Sequence, residues 1–284
     1  MDRLTVPLVR ARKATRQRGE PLVMVTAYDA PGARTADAAG VDLLLVGDSV
    51  AMVVLGHHDT LSVTVEELAH HTRAVRRASP QALVIADLPW LSYHLGHNDA
   101  IGNAAVLIRA GAQAVKLEGG AKRAGVIAAL VDAEIPVMGH VGLTPQSVHS
   151  MGGFKVQART AEGARALVDD ALAVEAAGAF AVVIEGVPEE VGRLVTDALD
   201  VPTIGIGAGP GCDGQVLVYH DILGLEERAT PTFVRRYAEL QRAGIDALTA
   251  FAADVRTGRF PTATESYHLT PSEATVLEPP PQQG

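Results

Sequence analysis

Short apolar runs alternate with longer amphipathic stretches along the chain from Leu22 to about Phe251. This alternation is typical of repeated strand and helix units, in which each helix returns the chain to the same edge of a parallel sheet. Eight apolar runs are predicted strands, at residues 22–26, 42–46, 82–86, 114–117, 135–139, 181–184, 203–206 and 215–218. Predicted helices between them include residues 30–39, 64–77, 99–110, 161–177 and 189–199. The pattern therefore predicts an α/β fold with eight parallel strands.

The connections decide between a closed barrel and an open, doubly wound sheet. An open sheet that binds a dinucleotide needs a GxGxxG turn after its first strand, and the sequence has no such turn there. The two longest connections, residues 47–62 and 140–159, both follow a predicted strand. Barrel enzymes build their active sites from the loops that follow strands. We therefore predict a (β/α)8 TIM barrel with its active site in these loops.

The two ends of the chain differ in composition from the predicted barrel. Six Arg and Lys residues lie within the first eighteen, and no apolar segment accompanies them. We interpret this segment as an N-terminal helix packed under the barrel, with an organellar transit peptide as the alternative. After Phe260 the chain is rich in Pro, Thr, Ser and Glu, and it ends in LEPPPQQG. We expect one catalytic barrel domain over residues 1–260 and a tail over residues 261–284 that is mobile toward its end.

Composition and charge narrow the classes of partner. Hydrophobic residues make up 48% of the chain and aromatic residues only 4%, so the core has to be built from Val, Leu, Ile and Ala. A formal net charge of −9 argues against binding to nucleic acid or to anionic membranes, both of which need a basic face. With one cysteine, Cys212, the chain cannot form an intramolecular disulfide. These features predict a cytoplasmic enzyme that acts on a small molecule.

Polar residues stand at the ends of most predicted strands. In a barrel these positions meet at one mouth. A single Asp after a strand is more often a helix N-cap or a turn residue than a functional group. Six polar strand ends in series favour a functional site instead. The residues concerned are Tyr28 with Asp29, Asp48 with Ser49, Asp87, Lys116 with Glu118, His140 and Glu185.

Two of these carboxylates suggest a metal site. Asp48 and Asp87 each follow an apolar strand, so both are expected to point into the pocket, where they repel each other. A hard divalent cation relieves that repulsion, and oxygen ligands without Cys or paired His favour Mg²⁺ over zinc. Glu118 is a candidate third ligand, either direct or through water. The alternative is an ordinary ion pair of Lys116 with Asp87 or Glu118.

The remaining strand-end residues are candidates for binding substrate and moving a proton. Lys116 and Glu118 are two positions apart on a strand and face the same way. Lys116 suits a point charge for a substrate carboxylate better than a Schiff base, because the neighbouring carboxylates stabilise its ammonium form. Glu185 ends an apolar strand, which suits a general base for a carbon-bound proton. His140 heads the loop over residues 140–159 and is a candidate contact to the substrate.

Seven sequence segments carry a resemblance to one enzyme family. They are MVTAYDAPGA, LLLVGDSVAMVVLGHHDTLSVTVEEL, HTRAVRRASPQALVIADLPW, AGAQAVKLEGG, VMGHVGLTPQSVHSMGGFKVQAR, ALAVEAAGAFAVVIEGVP and PTIGIGAGPGCDGQVLVYHDILG. In these segments the chain resembles the ketopantoate hydroxymethyltransferases, also called 3-methyl-2-oxobutanoate hydroxymethyltransferases, across nearly the whole barrel. It departs from many relatives in having Gly186 after Glu185 and in its longer tail.

The resemblance implies a reaction and roles for the site residues. It implies one Mg²⁺ per subunit, held by Asp48 and Asp87 with Glu118 completing the site. Glu185 becomes the proton acceptor. The ion stabilises the enolate that forms when the C3 proton of 3-methyl-2-oxobutanoate leaves. The enolate then takes a one-carbon unit from 5,10-methylenetetrahydrofolate to give 2-dehydropantoate, in the first committed step of pantothenate synthesis.

The resemblance also implies a substrate-binding set and an assembly. Ser49 and Lys116 help to hold the 2-oxo acid, which also approaches the metal carboxylates Asp48 and Asp87. Relatives are homodecamers, built as pentamers of dimers. The expected partners are therefore small-molecule substrates and other copies of the chain.

Two other functions compete with this interpretation. Enzymes of the phosphoenolpyruvate mutase and isocitrate lyase type also use Mg²⁺ to hold an enolate, and their lyases commonly carry a catalytic cysteine in a loop. Cys212, the single cysteine here, lies beyond the seventh predicted strand, which is the wrong context. A barrel that had become a non-catalytic scaffold would have lost its polar strand ends, and all of them are present.

Overall fold

The computed structural model describes residues 4–15, 20–78, 81–226 and 231–276. Eight strands form a closed barrel in chain order, and each pairs in parallel with the next. The last strand closes the ring by pairing with the first. The strands are β1 Leu22–Thr26, β2 Leu43–Val46, β3 Leu83–Asp87, β4 Ala114–Glu118, β5 Val137–Gly142, β6 Ala181–Glu185, β7 Thr203–Ile206 and β8 Gly214–Leu217. The predicted TIM barrel is confirmed.

Helices alternate with the strands along the chain, and further helices precede the first strand and follow the last. They are α1 Val6–Ala11, α2 Ala30–Ala38, α3 Val50–Val53, α4 Val65–Ala78, α5 His97–Ala110, α6 Ala124–Asp132, α7 Val148–Met151, α8 Ala161–Ala176, α9 Glu189–Ala198, α10 Tyr219–Leu223, α11 Leu240–Arg256 and α12 Pro271–Val276. Short 3₁₀ turns span Arg12–Thr15, Ala121–Arg123, Pro145–Ser147 and Ala263–Glu265. None of the helices within the described ranges is both long enough and apolar enough to cross a lipid bilayer.

The strands bury both of their faces, which explains why they are apolar at almost every position. On β2, Leu43 and Leu45 point into the barrel, where they pack with residues such as Met138 of β5. Leu44 and Val46 point outward and pack with the surrounding helices. Successive side chains on a strand face opposite sides, so two apolar environments demand a continuous apolar run.

The N-terminal helix closes the end of the barrel at which the strands begin. Val9 of α1 is fully buried among the residues inside the barrel. Lys13 Nζ donates to Thr196 O at 2.6 Å and lies 3.0 Å from Asp213 Oδ2. The same Asp213 oxygen accepts from Thr203 N at 2.9 Å. The interpretation of this basic segment as a helix packed under the barrel is thus confirmed.

The chain divides into two units, residues 1–237 and residues 238–284. The second unit contains α11, none of whose residues is buried, then the 3₁₀ turn Ala263–Glu265 and α12. The domain boundary predicted at residue 260 falls inside this unit. The Pro-rich end predicted to be mobile, residues 277–284, lies outside the described residues.

Candidate active site

A cavity of about 520 Å³ opens at the carboxyl ends of the strands. The residues that line it include most of the polar strand ends singled out from the sequence. These are Asp48, Ser49, Asp87, Lys116, Glu118, His140 and Glu185. Asp29 is an exception, because its carboxylate caps α2 by accepting from Gly32 N at 2.7 Å. The structure therefore brings the predicted site residues together and gives Asp29 the helix-capping role instead.

The carboxylate of Asp87 contacts the backbone of Asp48, just after β2. Asp87 is the last residue of β3, and its Oδ2 accepts from Asp48 N at 3.0 Å. Gly47 makes room chiefly for Ser49, because a Cβ atom there would lie 2.9 Å from Ser49 Oγ, whereas its 3.4 Å separation from Asp87 Oδ2 would be close to ordinary contact. Both carboxylates are buried, with Asp48 5% exposed and Asp87 2% exposed.

Lys116 supplies a positive charge beside Asp87. Its Nζ lies 2.7 Å from Asp87 Oδ1 and 3.3 Å from His140 Nδ1. Burial lowers the pKa of Lys116, but the charges of Asp87, Glu118 and Asp48 outweigh burial and raise it above its usual value. The ion pair of Lys116 with Asp87, which the sequence left as an alternative, is present. Lys116 is held as an ammonium ion, which agrees with the role of a point charge.

His140 lies between two glutamates. It is part of β5, which continues to Gly142 in register with Glu185, so the prediction that His140 heads a loop is wrong. Its Nδ1 lies 3.4 Å from Glu118 Oε1, and its Nε2 lies 3.1 Å from Glu185 Oε2. Burial and Lys116 lower the pKa of His140, but the two glutamates outweigh them and raise it to about 9. The imidazole is therefore a cation at neutral pH.

The site holds more carboxyl groups than basic groups. Asp48, Asp87, Glu118 and Glu185 line it together with Lys116 and His140. Burial, followed by the charges of Asp87 and Glu118, raises the pKa of Asp48 well above its ordinary value. Burial also raises the pKa of Asp87, although Lys116 offsets part of that effect. A cation bound beside these two carboxylates would favour their ionised forms.

The donor set fits a hard cation that brings further ligands of its own. Asp87 Oδ1 and Glu118 Oε1 are buried, and among the described residues neither accepts a hydrogen bond of good geometry, although each faces a nitrogen. In the same part of the chain, no three His, Cys, Asp or Glu side chains converge closely enough to hold a metal ion unaided. Mg²⁺ keeps several waters or takes substrate oxygens, so one or two protein carboxylates suffice.

Ser49 completes the polar side of the cavity. It directly precedes α3, and its Oγ lies 2.8 Å from Tyr28 OH. Burial raises the pKa of Tyr28, so its phenol stays protonated and can donate to Ser49. Tyr28 was singled out as a strand-end residue, and the structure makes it a support for Ser49.

Sequence reasoning missed two buried residues behind the carboxylates. Gln146 Nε2 donates to Asp48 Oδ2 at 2.8 Å, and Gln146 N donates to Glu118 Oε2 at 2.9 Å. Tyr93 OH donates to Gln146 Oε1 at 2.6 Å. Both residues lie in loops that follow strands, Gln146 within the conspicuous segment GHVGLTPQS. That segment was the signal available in the sequence, but a neutral side chain in a loop gives no indication that it contacts the carboxylates of the site.

The outer part of the cavity is apolar. Its rim includes Met52, Leu143, Phe154, Val156 and Phe233. Phe154 and Phe233 are 51% and 40% exposed. Phe154 follows Gly152 and Gly153, which have φ of 67° and 113° and so occupy backbone conformations that favour glycine. The cavity therefore combines a charged floor with an apolar, partly aromatic entrance.

Residues 6–263 match the family model described as ketopantoate hydroxymethyltransferase. The chain belongs to the ketopantoate hydroxymethyltransferase family. A 3-methyl-2-oxobutanoate hydroxymethyltransferase from Moorella thermoacetica is 54% identical over 268 residues, which cover 94% of this chain and 98% of that protein. Family membership confirms the predictions that the chain is an enzyme, a hydroxymethyltransferase, and that its substrates are small molecules.

Solved structures of a second group of enzymes share the fold. Phosphoenolpyruvate phosphomutase from Streptomyces platensis superposes with a TM-score of 0.60 at 18% identity, over 96% of this chain and 94% of that one. Phosphonopyruvate hydrolase, in a complex with oxalate and Mg²⁺, superposes with a TM-score of 0.59 at 17% identity, over 92% and 93%. At this identity the likeness concerns the barrel alone, so the mutase and lyase alternative is matched only in fold.

Proposed function

We propose that the chain transfers a hydroxymethyl unit from 5,10-methylenetetrahydrofolate to 3-methyl-2-oxobutanoate and so forms 2-dehydropantoate, the first committed step of pantothenate synthesis. The observation that carries the proposal is the convergence of four carboxylates on Lys116 and His140 in one cavity of a ketopantoate hydroxymethyltransferase barrel. That arrangement suits a reaction in which an oxo acid anion binds and a carbon-bound proton leaves.

Asp48 and Asp87 are the residues that would hold Mg²⁺, one ion per subunit. Both carboxylates are buried, and burial raises the pKa of each, so a bound cation would stabilise their ionised forms. Glu118 would act through water, because its oxygens already face His140 Nδ1 and Gln146 N. Bound there, Mg²⁺ supplies a positive charge that favours negative charge on the carboxylate and keto oxygens of the substrate.

Ser49, Lys116 and His140 would bind the 2-oxo acid. The ammonium of Lys116 and the imidazolium of His140 lie side by side, with Lys116 Nζ 3.3 Å from His140 Nδ1. Two adjacent cations in a buried site attract a carboxylate and an adjacent keto oxygen. Ser49 Oγ lies 2.8 Å from Tyr28 OH, and with the phenol as donor the Ser49 hydroxyl would be able to donate to the substrate.

Glu185 would remove the proton from C3 of the 2-oxo acid. Its Oε2 lies 3.1 Å from His140 Nε2, which orients the carboxylate toward the cavity. The electron pair left at C3 then forms a bond to the methylene carbon of the folate as one of that carbon's two C–N bonds breaks. Water displaces the second nitrogen and supplies the hydroxyl group, and the two nitrogens take up the protons lost by C3 and by water. A positioned base of this kind is worth roughly 10²- to 10⁴-fold in rate.

The apolar entrance would take the pterin part of the folate. Phe154, Val156 and Phe233 present apolar surface at the rim, above the charged floor. A flat heteroaromatic ring stacks favourably on aromatic side chains, and its burial there would exclude water from the carbanion below.

We also infer the assembly and the location that the family likeness implies. A homodecamer, built as a pentamer of dimers, is consistent with the apolar residues that α11 leaves uncovered, among them Leu248 and Phe251. Large exposed apolar patches mark interaction surfaces. A cytoplasmic location stays a prediction from the single cysteine.

Exchange of the C3 proton of 3-methyl-2-oxobutanoate tests this function without the folate. In D₂O with Mg²⁺, the wild type is expected to replace the proton by deuterium, as followed by NMR. Glu185→Gln should reduce the rate by roughly 10²- to 10⁴-fold while Mg²⁺ and 2-oxo acid binding stay within a few-fold. Glu190→Gln, which alters an exposed carboxylate at the start of α9, is the matched control. A wild-type chain that promoted no exchange would refute the proposal.

A further inference from the structure

A buried glutamine joins three strand ends at the floor of the cavity. Gln146 lies in the 3₁₀ turn Pro145–Ser147 and is 6% exposed. Its Nε2 donates to Asp48 Oδ2 at 2.8 Å and to Leu88 O at 3.0 Å, and its main-chain N donates to Glu118 Oε2 at 2.9 Å. Gln146, in the loop after β5, is therefore hydrogen-bonded to the segments at the ends of β2, β3 and β4.

The orientation of this amide is fixed by the chemistry of its neighbours. Leu88 O can only accept, so the NH₂ group of Gln146 must face it, and Gln146 Oε1 is left for the hydroxyl of Tyr93 at 2.6 Å. Tyr93 is 1% exposed, and its hydroxyl also lies 3.3 Å from both the N and the O of Glu118. Arg123 lies over its ring, 5.6 Å from the centroid. The support behind Gln146 is therefore rigid.

We propose that Gln146 is a positioning residue for the metal site and that Tyr93 holds Gln146 in place. The inference rests on the function proposed above. By bonding Asp48 Oδ2, Gln146 would leave the other oxygen of that carboxylate for the ion, and its main-chain N holds Glu118 Oε2 in the same neighbourhood. A neutral amide does this without adding charge to a site already rich in it.

This role predicts that Gln146 affects the binding of Mg²⁺ but not the transfer of the proton to Glu185. Gln146 contacts Asp48 and Glu118, whereas Glu185 is bonded on the other side of His140. Loss of Gln146 should therefore weaken Mg²⁺ binding without changing the proton transfer to Glu185. At saturating Mg²⁺ and 2-oxo acid, the exchange rate should recover.

The experiment is a calorimetric titration of the purified full-length chain with MgCl₂. Gln146→Met, which keeps length but removes both polar groups, should weaken Mg²⁺ affinity by about 10- to 100-fold, the usual effect of losing a residue that orients a metal ligand. Tyr93→Phe, which removes a single hydroxyl, should weaken it by less, about tenfold at most. The control is Gln113→Met, because Gln113 Oε1 accepts from Val84 N at 3.2 Å, at the opposite end of the strands. The Mg²⁺ affinity of the Gln113→Met variant should equal that of the wild type.

Deuterium exchange at saturating Mg²⁺ supplies the second readout. Gln146→Met should regain at least a third of the wild-type rate, whereas Glu185→Gln should not recover. Wild-type Mg²⁺ affinity in Gln146→Met, with only a lower melting temperature, would overturn the inference and leave the proposed function standing. Should Gln146→Met not fold, unchanged affinity in Tyr93→Phe would overturn it equally. A wild-type chain that bound no Mg²⁺ would remove the metal site and this inference together.

Discussion

The two ends of the barrel hold buried carboxylates in opposite ways. At the end where the strands begin, Asp213 Oδ2 lies 3.0 Å from Lys13 Nζ and accepts from Thr203 N and Oγ1 at 2.9 and 3.1 Å. At the mouth, Gln146 is the one side-chain donor to Asp48 among the described residues, and Asp48 stands among other carboxylates that raise its pKa. One end pairs its carboxylate with a lysine, whereas the other places several carboxyl groups close together.

The difference separates stability from function. A buried carboxylate oxygen that bonds both a lysine and a backbone N–H locks segments together, here the N-terminal segment, β7 and the start of β8. A cluster of like charges instead destabilises the protein until a ligand of opposite charge arrives. The carboxyl groups at the mouth are thus placed to bind a ligand, whereas the Lys13–Asp213 pair at the other end helps to close the barrel.

The largest effect should follow from removing a carboxylate at the mouth. Asp87→Asn is expected to lower Mg²⁺ affinity and C3 exchange by more than the roughly 100-fold upper value for residues that merely orient a ligand. Titration calorimetry and NMR measure the two quantities. Wild-type affinity in this variant would mean that Asp87 serves only as the partner of Lys116.

The matching change at the other end should affect stability alone. Lys13→Met removes the ammonium group that lies 3.0 Å from Asp213 Oδ2 and should lower the free energy of unfolding by roughly 3 kcal/mol, the lower value for breaking a buried pair. Chemical denaturation measures this. Mg²⁺ affinity and exchange should stay at wild-type values, and a large loss of either would contradict the division between the two ends.

The free energy of unfolding should depend on pH because of His140, at the mouth of the barrel. The folded protein holds the proton of His140 up to pH about 9, whereas the unfolded chain releases it near 6.5. The proton therefore stabilises the fold fully below pH 6.5, and this stabilisation is lost as the pH rises through about 9. The free energy of unfolding of the metal-free protein should fall by up to roughly 3 kcal/mol over that interval.

Denaturation at several pH values tests this prediction, with His140→Asn as the variant that should flatten the slope. Lys13→Met should be less stable at every pH but should keep the wild-type slope. If the free energy of unfolding of His140→Asn still fell with pH as in the wild type, groups other than His140 would cause the pH dependence.

The smallest expected effect has the opposite sign. The raised pKa of Asp48 means that its ionisation opposes folding once the pH exceeds the unfolded value. Asp48→Asn should therefore stabilise the metal-free protein at pH 7 by about 1 kcal/mol, or roughly 2–4 °C in melting temperature. Calorimetric melting curves decide this. Asp213→Asn, the same change at the other end, should lower the melting temperature. If both variants changed the melting temperature in the same direction, the contrast between the two ends of the barrel would be wrong.

Most of the barrel could be predicted from the sequence because its strands are apolar on both faces. The predicted strand at residues 22–26 agrees with β1, and that at residues 203–206 agrees with β7. The strand predicted at residues 135–139 instead begins at Val137 and runs to Gly142. Pairing with β6 extends it, and that pairing depends on residues more than forty positions away.

The charged part of the site was also predictable, but its internal bonds were not. Asp48, Asp87, Lys116 and Glu185 follow or end apolar strands, and parallel strands in a barrel bring such positions together. Which cation faces which carboxylate depends on distances that no local pattern encodes. The sequence left the partner of Lys116 open, and the structure selects Asp87.

The sequence by itself determined the eight-stranded barrel and the set of ionisable residues at its mouth, because apolar periodicity and strand ends are local features. Only the tertiary structure decided that Gln146 bonds to Asp48, 98 positions away, and that His140 stands between Glu118 and Glu185. The physical reason is that a hydrogen bond depends on a separation of about 3 Å in space. Closure of the barrel sets that separation between residues that are far apart along the chain.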